Sequence, residues 1–222
     1  MRKTSYAATF VAVVVILVIN ILSSRLPDWL IARYDTANTH VTVRYGLMER
    51  CESSAISIPG PSKGGRLEYS DYECRQFPSR VQDKCDNENR LFCALWTSAQ
   101  YFTELGVGFA AMGLVALVIG ISTHSRRRRV WRAVAGLVIL HAVFQLVTFI
   151  LVTELYRKDR FPSFEHAKPG VGYVLNAVSW VLGFAVGAGV IITGVAADRG
   201  HKWAAGHRFR PYKPVPTYGT NV

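Results

Sequence analysis

Residues 105–125 read LGVGFAAMGLVALVIGISTHS, and residues 126–129 that follow read RRRR. A helix needs about 20 apolar residues to cross a hydrocarbon layer about 30 Å thick. One charge at the centre of that layer costs roughly 2.5–3.5 kcal/mol. The 21-residue run without a charge, stopped by four arginines, therefore predicts a transmembrane helix ending on a basic face. Working outward, Lys3 and Arg25 enclose 21 uncharged residues, Arg132 and Glu154 enclose 21, and Lys168 and Asp198 enclose 29. In the last of these, Val171 to Val195 is the apolar part. Only 18% of the 222 residues are charged, against about 25% in soluble domains. The fold class expected is a mainly α membrane protein, a four-transmembrane-helix bundle with a small disulfide-stapled extracellular antiparallel β-sheet.

The expected order begins with a cytoplasmic N-terminus over 1–5 and helices over 6–24, 101–122, 131–154 and 171–195. An outer loop with all four cysteines covers 25–100, a basic cytoplasmic loop 123–130, a second outer loop 155–170 and a disordered cytoplasmic tail 196–222. The first run, Tyr6 to Leu22, is longer than a signal-peptide core of about 7–15 residues. Its exit, Asn20-Ile21-Leu22-Ser23-Ser24-Arg25, has no small-x-small cleavage site, so a retained helix is expected.

The net charge of +11 sorts by segment. The N-terminus, the 126–132 region and the tail hold 12 basic residues against one acid, Asp198, and the rest of the chain balances 14 against 14. An excess of Lys and Arg marks the cytoplasmic side. Both termini are thus expected in the cytoplasm of a multi-pass protein. Arg126, Arg127, Arg128 and Arg129 read as a topology anchor, with anionic lipid head groups as the functional alternative. Nucleic acid is not an expected partner, because the short basic loop lies against a membrane and carries no reader motif.

Cys51, Cys74, Cys85 and Cys93 all fall in the first outer loop. An even cysteine count on the exoplasmic side reads as two disulfides, with three pairings open. Spacings of 22, 10 and 7 residues match no zinc pattern, and neither metal nor cofactor is expected. Val41, Val43, Tyr45 and Leu47 alternate with other residues and predict a strand. Residues 66–70 and 72–77 read as a second strand, with a bulge between them open as an alternative, after a turn-rich stretch at 59–65. Tyr156, Phe161 and Phe164 of the second outer loop read as an interfacial aromatic belt.

Asn20, Glu104, His141, Gln145, Asn176 and Ser179 lie in or at the rims of the runs. Interhelical hydrogen bonds are the expected role, because one histidine with no acid at its depth makes a poor proton relay. Glu104 is expected near the outer end of its helix. Gly183-x-x-x-Gly187 permits close helix packing within the bundle. The C-terminal Thr220-Asn221-Val222 offers a weak terminal-carboxylate ligand for a cytoplasmic scaffold domain.

Leu26-Pro27-Asp28-Trp29 directly follows the first run, Tyr45-Gly46-Leu47-Met48-Glu49-Arg50-Cys51 comes next, and Cys74 and Arg90 follow. Together with the four-run topology this resembles the claudin and peripheral-myelin-protein superfamily, whose signature runs Trp, Gly-Leu-Trp, Cys, Cys. The resemblance covers the architecture of residues 1–195. It implies a Cys51–Cys74 bridge in the sheet, and a membrane-surface anchor formed by Trp29 with the Gly46-Leu47-Met48 tip. It also implies a plasma-membrane protein acting in membrane organisation, cell contact or protein assembly. Its partners would be the lipid bilayer, other membrane proteins or further copies alongside it. A paracellular pore former or auxiliary ion-channel subunit is the alternative the resemblance permits. Met48 replaces the signature Trp, Cys85 and Cys93 are additional, and the Cys51-to-Cys74 gap is long. These departures fit a divergent branch, such as the lipoma-fusion-partner-like tetraspans or the fungal Sur7/PalI-type proteins. The chain has no Cys-x-x-Cys, Gly-x-Ser-x-Gly, His-Glu-x-x-His or phosphate loop, so no enzyme is expected.

Overall fold

The computed structural model describes residues 3–36, 39–59, 66–122, 127–157, 164 and 167–205. Four long helices, α1 (Lys3–Arg25), α2 (Arg90–Ser122), α3 (Arg127–Arg157) and α4 (Val171–Asp198), are each long and apolar enough to cross a membrane. Strands β1 (Leu30–Thr36), β2 (Thr39–Tyr45), β3 (Glu49–Pro59) and β4 (Arg66–Gln76) lie between α1 and α2. β5 (Ala167–Pro169) immediately precedes α4, and a four-residue helix, α5 (Lys202–Ala205), follows it.

Helix α1 packs on α2 and α4, and α3 packs on α2 and α4, so the four close into a ring. Neighbours run antiparallel: Thr103 meets Gln145, Gln145 meets Asn176, and Ser23 meets Gly172. Val and Ile crowd α1 and α4 although β-branched residues are mediocre helix formers. An apolar surround overrides that preference, because no other conformation satisfies the backbone internally there. Leu26-Pro27 ends α1, since proline disfavours the α conformation in the residue before it.

The sheet has strand order β4-β3-β2-β1-β5, every pair antiparallel. β3 pairs with β4 without interruption from Glu49–Gln76 to Pro59–Arg66, so the second strand read from the sequence is continuous and has no bulge. Cys51 is bonded to Cys74 and Cys85 to Cys93, leaving no free cysteine. The sheet is larger than the alternation of residues 41–47 foretold. β1 and the Glu49–Pro59 strand were outside that reading, and β5 recruits Pro169 at an edge where its missing N–H goes unneeded.

Two further expectations are corrected. Helix α2 begins at Arg90, eleven residues before the expected span, so its first three turns stand above the apolar run. The tail is expected to be disordered from 196, but 196–198 continue α4 and 202–205 form α5, while 206–222 lie outside the described residues.

Candidate functional site: the joint between sheet and bundle

The interior is layered. At the end away from the sheet, Tyr6, Val13, Leu117, Trp131, Val134 and Val138 form an apolar cluster. At the sheet end, a second cluster joins strand and helix residues around Trp29, Tyr45, Leu47, Phe77, Phe92, Trp96 and Phe164. Between them lies a band of buried polar side chains.

Trp29 is the keystone of the sheet-end cluster and is fully buried. Its Nε1–H donates to the Ser23 carbonyl at 2.7 Å, capping one of the open carbonyls at the end of α1. Its backbone N–H donates to Tyr45 O at 2.9 Å and its carbonyl accepts from Gly170 N–H at 2.9 Å. Ser23 Oγ donates to Gly172 O at 2.7 Å, and Gly172 N–H donates to Asp28 O at 2.8 Å. Trp29 and its neighbours Ser23 and Asp28 thus tie α1, β2 and the start of α4 together. Gly172 is required here, because a Cβ would sit 2.6 Å from the Trp29 ring.

The membrane-anchor role expected of Trp29 and Leu47 is therefore corrected: both side chains lie inside the protein. Trp96 Nε1–H donates to Leu47 O at 3.2 Å, which holds the Gly46-Leu47 turn over α2. A Cβ at Gly46 would lie 2.7 Å from Pro27 Cα, so only glycine fits the turn. Of that tip, only Met48 reaches a partly exposed position. Phe164, read as interfacial, is buried against Tyr45 and Phe92, with ring centroids 5.0 and 5.5 Å away. Phe161 lies outside the described residues. Arg90 is exposed at the first residue of α2, with no partner among the described residues.

The polar band brings together the intramembrane candidates. His141 Nδ1 lies 2.9 Å from Gly106 O, an arrangement in which Nδ1 carries the proton. Its Nε2 is then the acceptor for Ser179 Oγ at 3.3 Å. Gln145 Nε2 donates to Thr103 O at 3.1 Å, and Asn176 Nδ2 donates to Gln145 Oε1 at 2.6 Å. Thr148 donates to Ala99 O at 3.1 Å. These bonds stitch α2, α3 and α4, the role expected of them. Thr103 and Thr148 were not among the candidates, since lone threonines in an apolar run give no sequence signal. Gly183 and Gly187 face Ala142 and Ile139 of α3, so this small-residue face packs within the bundle. Glu104 is exposed on the bundle exterior and outside the network.

Asn20 is the exception. It is fully buried, and among the described residues neither amide atom has a partner; Asn176 Oδ1 is likewise unpaired among them. A buried orphaned polar group costs about 1–3 kcal/mol. Asn20→Leu is therefore expected to raise the stability of the bundle by about that amount, read as a higher thermal midpoint in detergent. A fall would mean that the amide makes a bond essential to the fold.

Arg127, Arg128 and Arg129 form the first turn of α3, and Arg126 lies outside the described residues. Arg132 pairs with Asp198 at 3.7 Å across α3 and α4. Thr220 and Val222 also lie outside the described residues. Among the described residues, no three His, Cys, Asp or Glu side chains are placed to hold a metal.

No protein-family model matches the chain, and no curated protein is significantly similar to it.

Proposed function

We propose that this chain is a claudin-like tetraspan protein of the plasma membrane that organises membrane contacts by joining its outer sheet to that of another copy or neighbour. Both termini lie in the cytoplasm in this reading. The observation that carries it is the outer edge of β4, which pairs with no other strand among the described residues. This strand is last in the sheet, eleven residues long and unbroken in register. Exposed edges are normally blunted by proline, a bulge or charged side chains. β4 has no proline and no bulge, and its five charges, Arg66, Glu68, Asp71, Glu73 and Arg75, are of both signs, so they restrict the registers open to a partner strand.

Charge placement supports the orientation. Arginines occupy the N-terminal turn of α3, where the helix dipole disfavours cations. Helix stability does not explain them there, whereas a cytoplasmic face rich in anionic lipid does. The same side carries the tail, and with it any scaffold contact through Thr220 and Val222. The disulfides belong on the opposite, oxidising side.

An antiparallel pair of β4 strands related by a two-fold axis has few registers open to it. Centring on Asp71 sets its carboxylate against itself, and centring on Tyr72 sets Asp71 against Glu73. Centring on Ser70 is the longest register without opposed like charges, and it places Tyr69 across from Asp71 and Glu68 across from Tyr72. Ser70→Cys is therefore expected to give a covalent dimer on mild oxidation in membranes. Tyr72→Cys should not, because its two copies would stand about 13 Å apart. Peptide mapping would check that the native disulfides are kept. No dimer from Ser70→Cys, or equal dimers from both variants, would sink this mode of contact.

A further inference from the structure

Beneath the sheet, beside Met48, lies a groove that none of the sheet contacts above uses. Met48, Glu49, Gln76 and Gln100 line a hollow of about 410 Å³. A smaller hollow adjoins it through Met48 and Glu49 and reaches Ser24 and Arg25 at the end of α1. The tight Gly46 turn against Pro27 fixes this arrangement.

The level of the groove is set by the apolar runs. Arg25 closes the run of α1, and Gln100 lies one turn before Glu104, where the run of α2 opens. Helices α1 and α2 are packed neighbours. Below Arg25 on the same face of α1, Ile21 and Leu22 are exposed apolar side chains, and Glu104 is exposed one turn below Gln100 on α2.

The charges in the groove are one of each sign. The one contact of the Arg25 guanidinium among the described residues is Nη1 to Met48 Sδ at 4.0 Å. Glu49 is exposed, and its carboxylate has no partner among them. Arg75 also borders the hollow, but Asp83 holds its guanidinium at 2.6 and 2.8 Å. Opposite charges flank the crevice without pairing to each other, above an apolar seam.

We infer that this groove binds one phospholipid whose headgroup joins a phosphate to a primary ammonium, as in phosphatidylethanolamine. Arg25 takes the phosphate. Glu49, with the amide oxygens of Gln76 and Gln100, accepts the ammonium N–H donors. The acyl chains follow Ile21 and Leu22 of α1. A choline headgroup has no N–H to donate, and an anionic glycerol headgroup leaves Glu49 without a cation. The inference rests on the membrane reading proposed above.

The test uses the full chain in nanodiscs of equal phosphatidylethanolamine, phosphatidylcholine and phosphatidylglycerol, with native mass spectrometry counting the lipids retained. One phosphatidylethanolamine per chain is expected, favoured about ten-fold or more, the scale of a single charge-assisted hydrogen bond. Glu49→Gln should erase the preference over phosphatidylcholine, and Arg25→Gln should weaken retention of all three lipids. Equal retention of the three, or a preference untouched by Glu49→Gln, overturns the site. Carbonate extraction separates the two failures. A chain released without detergent sinks the membrane reading itself, whereas a retained chain with no selective lipid sinks only the headgroup site.

Discussion

Trp29→Ala is expected to cost about 3–5 kcal/mol, the range for removing a buried large aromatic from a core. The loss has three parts. The indole leaves a cavity between the sheet and the bundle, where it met Tyr173 edge-on with centroids 6.5 Å apart. The Ser23 carbonyl loses its Nε1–H cap at the end of α1. Gly172, shaped to admit the ring, is left facing empty space. Trp29→Phe keeps much of the apolar area and loses the cap, so it should cost about 1–2 kcal/mol. Trp203→Ala serves as the control, because that side chain is 55% exposed and surface changes stay within about 0.5 kcal/mol. Thermal unfolding in detergent would rank the three variants. A cost for Trp29→Ala no greater than that of the Trp203 control would show that the sheet does not depend on this joint.

The positions of the long helices were legible because charge marks their limits. The uncharged runs between Lys3 and Arg25 and between Arg132 and Glu154 lie within α1 and α3, and the apolar stretch Val171 to Val195 lies within α4. The start of α2 was missed because apolarity reports on the membrane and not on the helix. Leu91, Phe92 and Trp96 are helical, and the latter two are buried under the sheet rather than in lipid. Val41, Val43 and Tyr45 announced their strand through a period of two, since only one face of β2 is covered. Residues 49–59 hid theirs. Arg50, Glu52 and Ser54 line one open face of the sheet, so no apolar alternation was left to read. β5 is three residues long, and only its partner β1 makes it a strand. Of the candidate site, Trp29 and Leu47 were found by motif but assigned to the wrong surroundings. A tryptophan after a span reads equally well as an interfacial anchor or as a core residue. What decides between them is the sheet folded over it, a long-range fact absent from the local sequence.

One stabilising feature gave no sequence signal at all, and it carries the second large expected effect. Asp83 is 2% exposed, and Arg75, a quarter exposed, grips both its oxygens at 2.6 and 2.8 Å. Ser79 N–H adds a third hydrogen bond at 2.7 Å, and Asn89 Nδ2 donates to the Asp83 carbonyl at 2.9 Å. The pair pins the 77–89 segment to β4, beside the Cys85–Cys93 bridge. Burial pushes the Asp83 carboxyl up, but the Arg75 hydrogen bonds and the Ser79 N–H outweigh it and hold it below its ordinary value. The hydrogen bond to Asp83 likewise holds the Arg75 guanidinium above its ordinary value. Arg75→Ala strands a buried carboxylate, a change that costs about 3–5 kcal/mol. The sign of the pH dependence follows from linkage. In the native protein the depressed Asp83 contributes stability above its unfolded value of about 3.9, and that contribution is lost as pH falls through the lower folded value. In Arg75→Ala the burial penalty dominates, so acidification neutralises the stranded group and relieves the defect. The stability gap between the two proteins should therefore be widest near neutral pH and shrink toward pH 4. Asp83→Asn added to Arg75→Ala should recover part of the loss at neutral pH and remove the pH dependence of the gap. Unfolding midpoints across that pH range would decide it. A gap that stays constant with pH would mean that Arg75 acts through packing over Phe77, 6.0 Å from its guanidinium carbon, and not through the charge of Asp83.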